Sequence, residues 1–188
     1  MPWIVVAGRL PPPDDGTSRT TLLVLERLLD HQPVQVADLS PGYAGRSLSH
    51  RLDRFVRVLG AASTLLAGAF EDDRRLYLPA EAGPGDGYAA TLAGLARLLG
   101  YTVFVHHRAL PDPARRSLRT ALLVRAGGPA CRHLLPDPVL QRRFQALYPA
   151  ARTGVALPDP HAGELEAMAN LLTGRRTGMA PVHERTVH

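Results

Sequence analysis

Short apolar runs alternate with amphipathic segments along most of this chain. Residues 3–7 form a continuous apolar run of strand length, and a leucine-rich helical segment at residues 20–29 follows the loop at residues 8–19. The same alternation continues through the sequence. It predicts strands at residues 34–39, 75–79, 101–107, 132–135 and 154–157, and helices at residues 47–60, 88–99, 114–125, 138–147 and 162–172, with a further apolar, helix-like stretch at residues 61–70.

This alternation predicts an α/β fold. Parallel neighbouring strands need a crossover of about a dozen residues, and helices of this length supply it while they cover both faces of the sheet. We therefore expect a single Rossmann-like domain over residues 1–160, with a mostly parallel sheet. Residues 161–188 are expected to add a C-terminal helix and a flexible tail.

The helix predicted at residues 47–60 is amphipathic. Its apolar side chains fall on one face and its arginines on the other faces. The apolar positions are Leu48, Leu52, Phe55, Val56 and Leu59, and the basic ones are Arg46, Arg51, Arg54 and Arg57.

The amino-acid composition excludes some kinds of catalysis and bears on the kinds of partner that the protein could bind. Lysine is absent, which excludes catalysis by a lysine amine and a Walker-type phosphate loop. The net charge of +5 would suit nucleic acid or an anionic membrane surface, but an arginine-for-lysine composition is the simpler explanation, so nucleic acid is not favoured. Cys131 is the single cysteine and is expected to be a small core residue.

No apolar run in the sequence is long enough to span a bilayer, and no segment resembles a signal peptide. We therefore expect a cytoplasmic protein, and peripheral contact at the inner membrane face is left open.

Three loops are expected at the carboxyl ends of the strands, where α/β sheets bind ligands: residues 8–19, 79–87 and 106–113. In the first loop, Gly16, Thr17 and Ser18 lead into a helix whose N–H groups could hold a phosphate, with Arg19 beside them. An ordinary turn glycine and a helix capped by Thr17 or Ser18 explain the same residues. Asp15 suits a general base, or a carboxylate that favours the helix dipole.

The other two loops carry polar candidates. His106 and His107 are adjacent on a strand, so they should face opposite sides of the sheet and only one can face a cleft. Without further ligands at suitable spacing they make a poor metal site, and no metal is expected. Glu81 and Asp86 flank Gly83 and Gly85 and could bond sugar hydroxyls.

The order of these motifs resembles the N-terminal half of a family-4-type glycosyltransferase. The resemblance runs from residue 3 to about residue 160. It rests on the glycine loop at residues 6–19, Asp38-Leu39-Ser40-Pro41, Leu76-Tyr77 leading to Gly83-Pro84-Gly85, Val105-His106-His107, and Val155-Ala156-Leu157-Pro158-Asp159.

The resemblance implies a GT-B architecture, in which two Rossmann-like domains face each other across a cleft. The N-terminal domain receives the acceptor and the C-terminal domain holds the nucleotide-diphosphate sugar. It implies that Gly16, Thr17 and Ser18, with Arg19 nearby, approach the donor diphosphate, and that His106 or His107 lies near the transferred sugar. The residues expected to bind the acceptor are Glu81, Gly83, Gly85, Asp86 and Arg108.

The chain departs from that family because no donor-binding half follows residue 160. The leading hypothesis is the acceptor-binding half of a glycosyltransferase that needs a donor-domain subunit or a homo-oligomer, with apolar surface exposed at residues 162–172. One alternative is a noncatalytic module that binds carbohydrate or protein. Another is a flavodoxin-like oxidoreductase, because a Thr- and Ser-containing loop before a helix also suits the phosphate of FMN.

Overall fold

The computed structural model describes residues 1–12, 15–40, 48–80, 86–108, 110, 115–155 and 162–174. Its strands are β1 (Trp3–Gly8), β2 (Gln35–Asp38), β3 (Arg74–Ala80), β4 (Thr102–His107), β5 (Cys131–Leu135) and β6 (Arg152–Val155). Its helices are α1 (Gly16–Leu29), α2 (Leu48–Ala67), α3 (Asp86–Leu98), α4 (Leu118–Gly127), α5 (Pro138–Leu147) and α6 (Ala162–Thr173), and a short 3-10 turn covers Gly128–Ala130.

All six strands pair in parallel in one sheet, in the order β2-β1-β3-β4-β5-β6. The predicted α/β, Rossmann-like fold with a parallel sheet is confirmed. After β1 the chain adds β2 on one side, and from β3 onward it adds strands on the other side. The sheet is therefore doubly wound, with its switch point between β1 and β3.

Helices cover the two faces of the sheet unequally. The α1 face is covered by α1 and α6, and Ile4, Tyr77 and Phe104 pack beneath them. The α2 face is covered by α2, α3, α4 and α5, with Leu76 and Val103 among its buried side chains. Successive residues of each central strand point to opposite faces, and both faces are buried, which explains why these strands appear as continuous apolar runs.

Helix α2 differs from the sequence expectation in length and orientation. It is one helix that continues through Gly60 to Ala67, because Ala61 and Leu65 carry the buried side of the helix past the glycine. Leu52 and Phe55, on the apolar face indicated by the sequence, are exposed instead of packed on the sheet.

Helix α6 packs on α1. Met168, Ala169 and Leu172 are buried there, and the Arg75 guanidinium donates to the Leu172 carbonyl at 2.8 Å. The apolar side of residues 162–172 is therefore largely covered within the chain, and the expected exposed patch is not found on this helix.

None of the helices in the described ranges combines the length and the apolar character that crossing a membrane requires.

Candidate functional site

A crevice opens at the carboxyl edge of the sheet, where the strand order reverses. Doubly wound sheets bind their ligands at such a switch point, outside the carboxyl ends of the strands. We call it the switch crevice. It lies on the α2 face and is lined by Gly8, Arg9, Leu39, Arg54, Arg57, Val58, Leu78, Pro79, Tyr88 and Ala89.

Gly8 keeps the end of β1 close to β3 and to α1. A Cβ atom at Gly8 would lie 2.7 Å from Cγ of Pro79 and 3.0 Å from Cγ2 of Thr21, which belongs to α1, so it would point to the α1 face and away from the crevice. The proline ring is rigid, so a larger residue would push the two strand ends apart. Glycine is therefore required for packing between the sheet and α1.

Ser40 joins the loops that follow β1 and β2. The Leu10 N–H donates to Oγ of Ser40 at 2.8 Å, and the Ser40 hydroxyl donates to the Leu10 carbonyl at 2.6 Å. The Leu39 N–H donates to the Gly8 carbonyl at 2.9 Å. These bonds hold Arg9 and Leu39 beside each other at the rim of the crevice.

The arginines of the crevice differ in how their charge is compensated. Arg57 contacts Asp53 at 3.1 Å and Asp38 at 3.8 Å, and Arg9 contacts Asp15 at 3.3 Å.

Arg54 is half-buried, with its Cζ atom 5.2 Å from the centroid of the Tyr88 ring. Within the described parts of the chain it makes no ion pair. Its guanidinium therefore keeps donors for an anion, while the aromatic ring fixes its position.

The start of α1 is already occupied by a carboxylate. Oδ1 of Asp15 accepts from the N–H groups of Thr17 and Ser18, at 3.0 and 2.8 Å, and the Ser18 hydroxyl completes a capping box. The Ser18 N–H holds the pKa of Asp15 below its usual value of 3.8, helped by Arg9 and opposed by partial burial.

This geometry identifies the residue that caps α1. The helix is capped by Asp15, neither by Thr17 nor by Ser18, so two of the N–H groups expected to meet a phosphate are engaged within the chain. Both carboxylate oxygens of Asp15 have partners, which leaves it poorly arranged as a general base. Arg19 is exposed.

Arg108 lies against the beginning of α1 on the other side of the sheet. A Cβ atom at Gly16 would overlap its guanidinium, so the glycine makes room for the arginine. The positive end of the helix and a cation thus lie together on the α1 face.

His106 belongs to the same region. It is buried, and its Nδ1 shares a hydrogen bond of 2.7 Å with the Tyr77 hydroxyl. Burial and, to a smaller extent, the charge of Arg108 together lower the pKa of His106 to about 4, while burial raises the pKa of Tyr77. In the described structure its Nε2 has no hydrogen-bond partner. His106 is therefore a neutral imidazole with one unused nitrogen.

His107 points to the α2 face, as expected for the neighbouring residue on a strand. Its Nε2 shares a hydrogen bond of 2.9 Å with Nδ1 of His133, and the Phe144 ring packs on both histidines. Burial lowers the pKa of His133 to about 4 and that of His107 well below 6.5. The pair is an internal polar contact, and neither histidine lines the switch crevice.

The expected acceptor-binding residues are only partly described. Glu81, Gly83 and Gly85 lie outside the described residues, and Asp86 is the first residue of α3, with its side chain outside them. Arg108 lies on the α1 face, away from the lining of the crevice.

The sequence prediction missed Tyr88 and the site roles of Arg9, Arg54 and Arg57. Arg9 directly follows the glycine that ends β1, and Arg54 and Arg57 lie three residues apart on α2. Their position at the switch point follows only once the strand order is known.

Among the described side chains, no three His, Cys, Asp or Glu residues are grouped to hold a metal ion. Cys131 is buried, and burial raises the pKa of its thiol to about 12. Comparison of the chain with protein-family models, with curated proteins and with solved structures finds no match.

Proposed function

We propose that the switch crevice binds a phosphate-bearing small molecule, anchored by Arg54. The observation that carries the proposal is a half-buried guanidinium, stacked on Tyr88, that has no carboxylate partner in the described residues. Guanidinium groups bind phosphate oxygens through two parallel hydrogen bonds. The charge and the fixed position of Arg54 both favour this use.

The remaining lining supports a ligand that is more than an inorganic ion. Leu39, Val58 and Leu78 give the crevice an apolar floor, and the Tyr88 ring offers a flat surface at its side. Small-molecule sites typically combine such an apolar lining with a few placed polar groups. A nucleotide, with one charged and one planar part, matches this combination.

Within this class we propose a nucleotide-diphosphate sugar or the acceptor of its sugar, following the resemblance to family-4-type glycosyltransferases. Sugar transfer would need a donor-binding domain in addition to the domain described here. The proposed site gives neither histidine a role beside the reacting group. His106 lies next to Arg108 on the α1 face, and His107 is enclosed by His133 and Phe144, so neither lines the switch crevice.

FMN is a second candidate, and the strand order favours it. Flavodoxin-like sheets have the order 2-1-3-4-5 and bind FMN at the switch between β1 and β3. The first five strands of this sheet have that order.

Calorimetric titration of the full chain with UDP, UDP-glucose, FMN and inorganic phosphate tests these proposals. We expect a nucleotide to bind, and Arg54→Ala to weaken its binding at least about tenfold, since a hydrogen bond to a charged group contributes about 1.5–3 kcal/mol. Arg97→Ala is the matched control, because Arg97 lies in the last turn of α3, at the opposite end from Tyr88.

The ligand that binds separates the candidates. UDP-glucose binding, followed by sugar transfer once a donor-domain subunit is added, supports the glycosyltransferase proposal, whereas binding without transfer supports a noncatalytic module. A yellow protein that retains FMN supports the flavin candidate. Failure of all four compounds to bind, or equal binding to the Arg54→Ala variant, contradicts the crevice as the site.

A further inference from the structure

Helix α2 carries an apolar stripe on its outer side. We call Leu52, Phe55, Val56, Leu59, Leu66 and Phe70 the α2 stripe; their exposed fractions run from 52% to 97%. Spacings of three and four residues place them along one side of the helix and the turn after it. Apolar helix faces of this length are normally buried, whereas nothing in the described part of the chain covers this one.

We propose that the α2 stripe is the contact between two copies of this chain, with the two α2 helices antiparallel about a two-fold axis near Ala61. Four of the six stripe residues are symmetric about that residue. Leu52 and Phe70 lie nine residues on either side of it, and Val56 and Leu66 lie five on either side. A two-fold interface joins a surface patch to itself, and this spacing brings these pairs together, while Phe55 and Leu59 would meet Ala67 and Ser63.

The centre of the stripe is suited to close contact. Gly60 and Ser63 are small and exposed, and a Cβ atom at Gly60 would have no neighbour within 4 Å. Small residues at a helix crossing let the backbones approach, while the larger side chains pack on either side.

Charges at the ends of the stripe favour the antiparallel orientation. In the sequence Arg51 directly precedes the stripe, and the exposed residues Glu71 and Asp72 directly follow it. Antiparallel helices bring these opposite charges to the same end, whereas parallel helices bring like charges together.

The exposed apolar area is a large part of what a stable contact needs. Phe55 and Phe70 have aromatic side chains of about 150–250 Å² each and four exposed aliphatic side chains add to them, so the stripe offers several hundred Å² per copy towards the roughly 800 Å² per partner of a standard interface. This inference does not depend on the ligand of the switch crevice.

The state of association of the full chain tests the interface. Sedimentation velocity should show a dimer at micromolar concentration, and Val56→Glu should convert it to a monomer with an unchanged circular dichroism spectrum. The matched control is Leu98→Glu, which places the same charge at an 85% exposed leucine of α3 and should leave the dimer intact. If the wild-type chain remains a monomer up to about 100 µM, the proposal is overturned. The same holds if that monomer uses its stripe to bind anionic lipid vesicles. A dimer that survives Val56→Glu also overturns it.

Cysteine cross-linking tests the orientation and does not require a disruptive variant. Gly60→Cys, near the axis, should form a disulfide between two copies under mild oxidation. Leu52→Cys and Phe70→Cys should each remain mostly monomeric alone and cross-link when mixed. Cys131 is buried and should not compete. Efficient cross-linking of Leu52→Cys with itself, or none in the mixture, contradicts the antiparallel pairing.

Discussion

At the scale of single residues, three histidines are buried among the described residues, and burial favours their neutral form. His107 and His133 contact each other beneath Phe144, and His106 contacts Tyr77 on the opposite face. Burial is the largest cause of the lowered pKa of each. These contacts make the folded state sensitive to acid.

We predict that the protein loses stability as the pH falls from about 6.5 towards 4. The unfolded chain takes up protons on these histidines below their ordinary pKa of 6.5, whereas the folded chain resists protonation down to about 4 for His106 and His133. The stability they contribute is therefore complete above pH 6.5. Below it, each histidine lowers the free energy of unfolding by about 1.4 kcal/mol per pH unit.

Urea denaturation at several values between pH 7.5 and pH 4.5 measures this slope. Replacing His107 with Phe and His133 with Leu together should make the slope much shallower, because only His106 of the three then remains to take up a proton. A slope that is the same in the double variant would show that the pair does not cause the acid sensitivity.

A second residue-scale prediction concerns Gly16 and Arg108. Alanine usually stabilises a helix by about 0.4–1 kcal/mol relative to glycine where the backbone allows it, and Gly16 does not have a positive φ. Here a Cβ atom would overlap the Arg108 guanidinium. Gly16→Ala should therefore stabilise the protein more in an Arg108→Ala background than in the wild type, where the guanidinium at the end of a flexible side chain has to move aside.

A double-mutant cycle by chemical denaturation gives this coupling, which we expect to exceed about 0.5 kcal/mol. Independent effects of the two substitutions would mean that Arg108 does not occupy the space above Gly16.

At the scale of elements, the beginning of α1 is defined by Asp15. Asp15→Ala should lower the free energy of unfolding by about 1 kcal/mol, since it removes the acceptor for two backbone N–H groups. Asp15→Asn keeps an oxygen acceptor and should retain most of the stability. Thermal denaturation compares the three proteins. If Asp15 acted as a catalytic base and not as a cap, Asp15→Ala would leave the melting temperature unchanged.

Helix α2 shows the limit of pattern-based prediction for an element. The spacing of Leu52, Phe55 and Leu59 correctly places them on one side of a helix, but the pattern does not say whether that side meets the sheet. In the folded chain the sheet is met by small and aliphatic residues such as Ala61 and Leu65. Local periodicity cannot distinguish a core face from an interface with another molecule.

At the scale of the whole molecule, the alternation of strands and helices was enough to predict a parallel α/β sheet, but not its strand order. The same alternation is compatible with the order 3-2-1-4-5-6 and with the order found here, because both use the same crossovers. The order depends on which strand β3 pairs with, and that pairing is a long-range contact. The pairing of β3 with β1 also places Arg9, Arg54 and Tyr88 around one crevice.

The central claim is that a phosphate-bearing ligand binds in the switch crevice and not at the α1 face beside Arg108. Hydrogen exchange of the full chain, with and without saturating UDP, locates the ligand directly. We predict slower exchange in residues 52–59 of α2 and residues 87–92 of α3, and loss of this protection in the Arg54→Ala variant. Protection confined to residues 15–19 and 104–108, or no protection anywhere, would contradict the account.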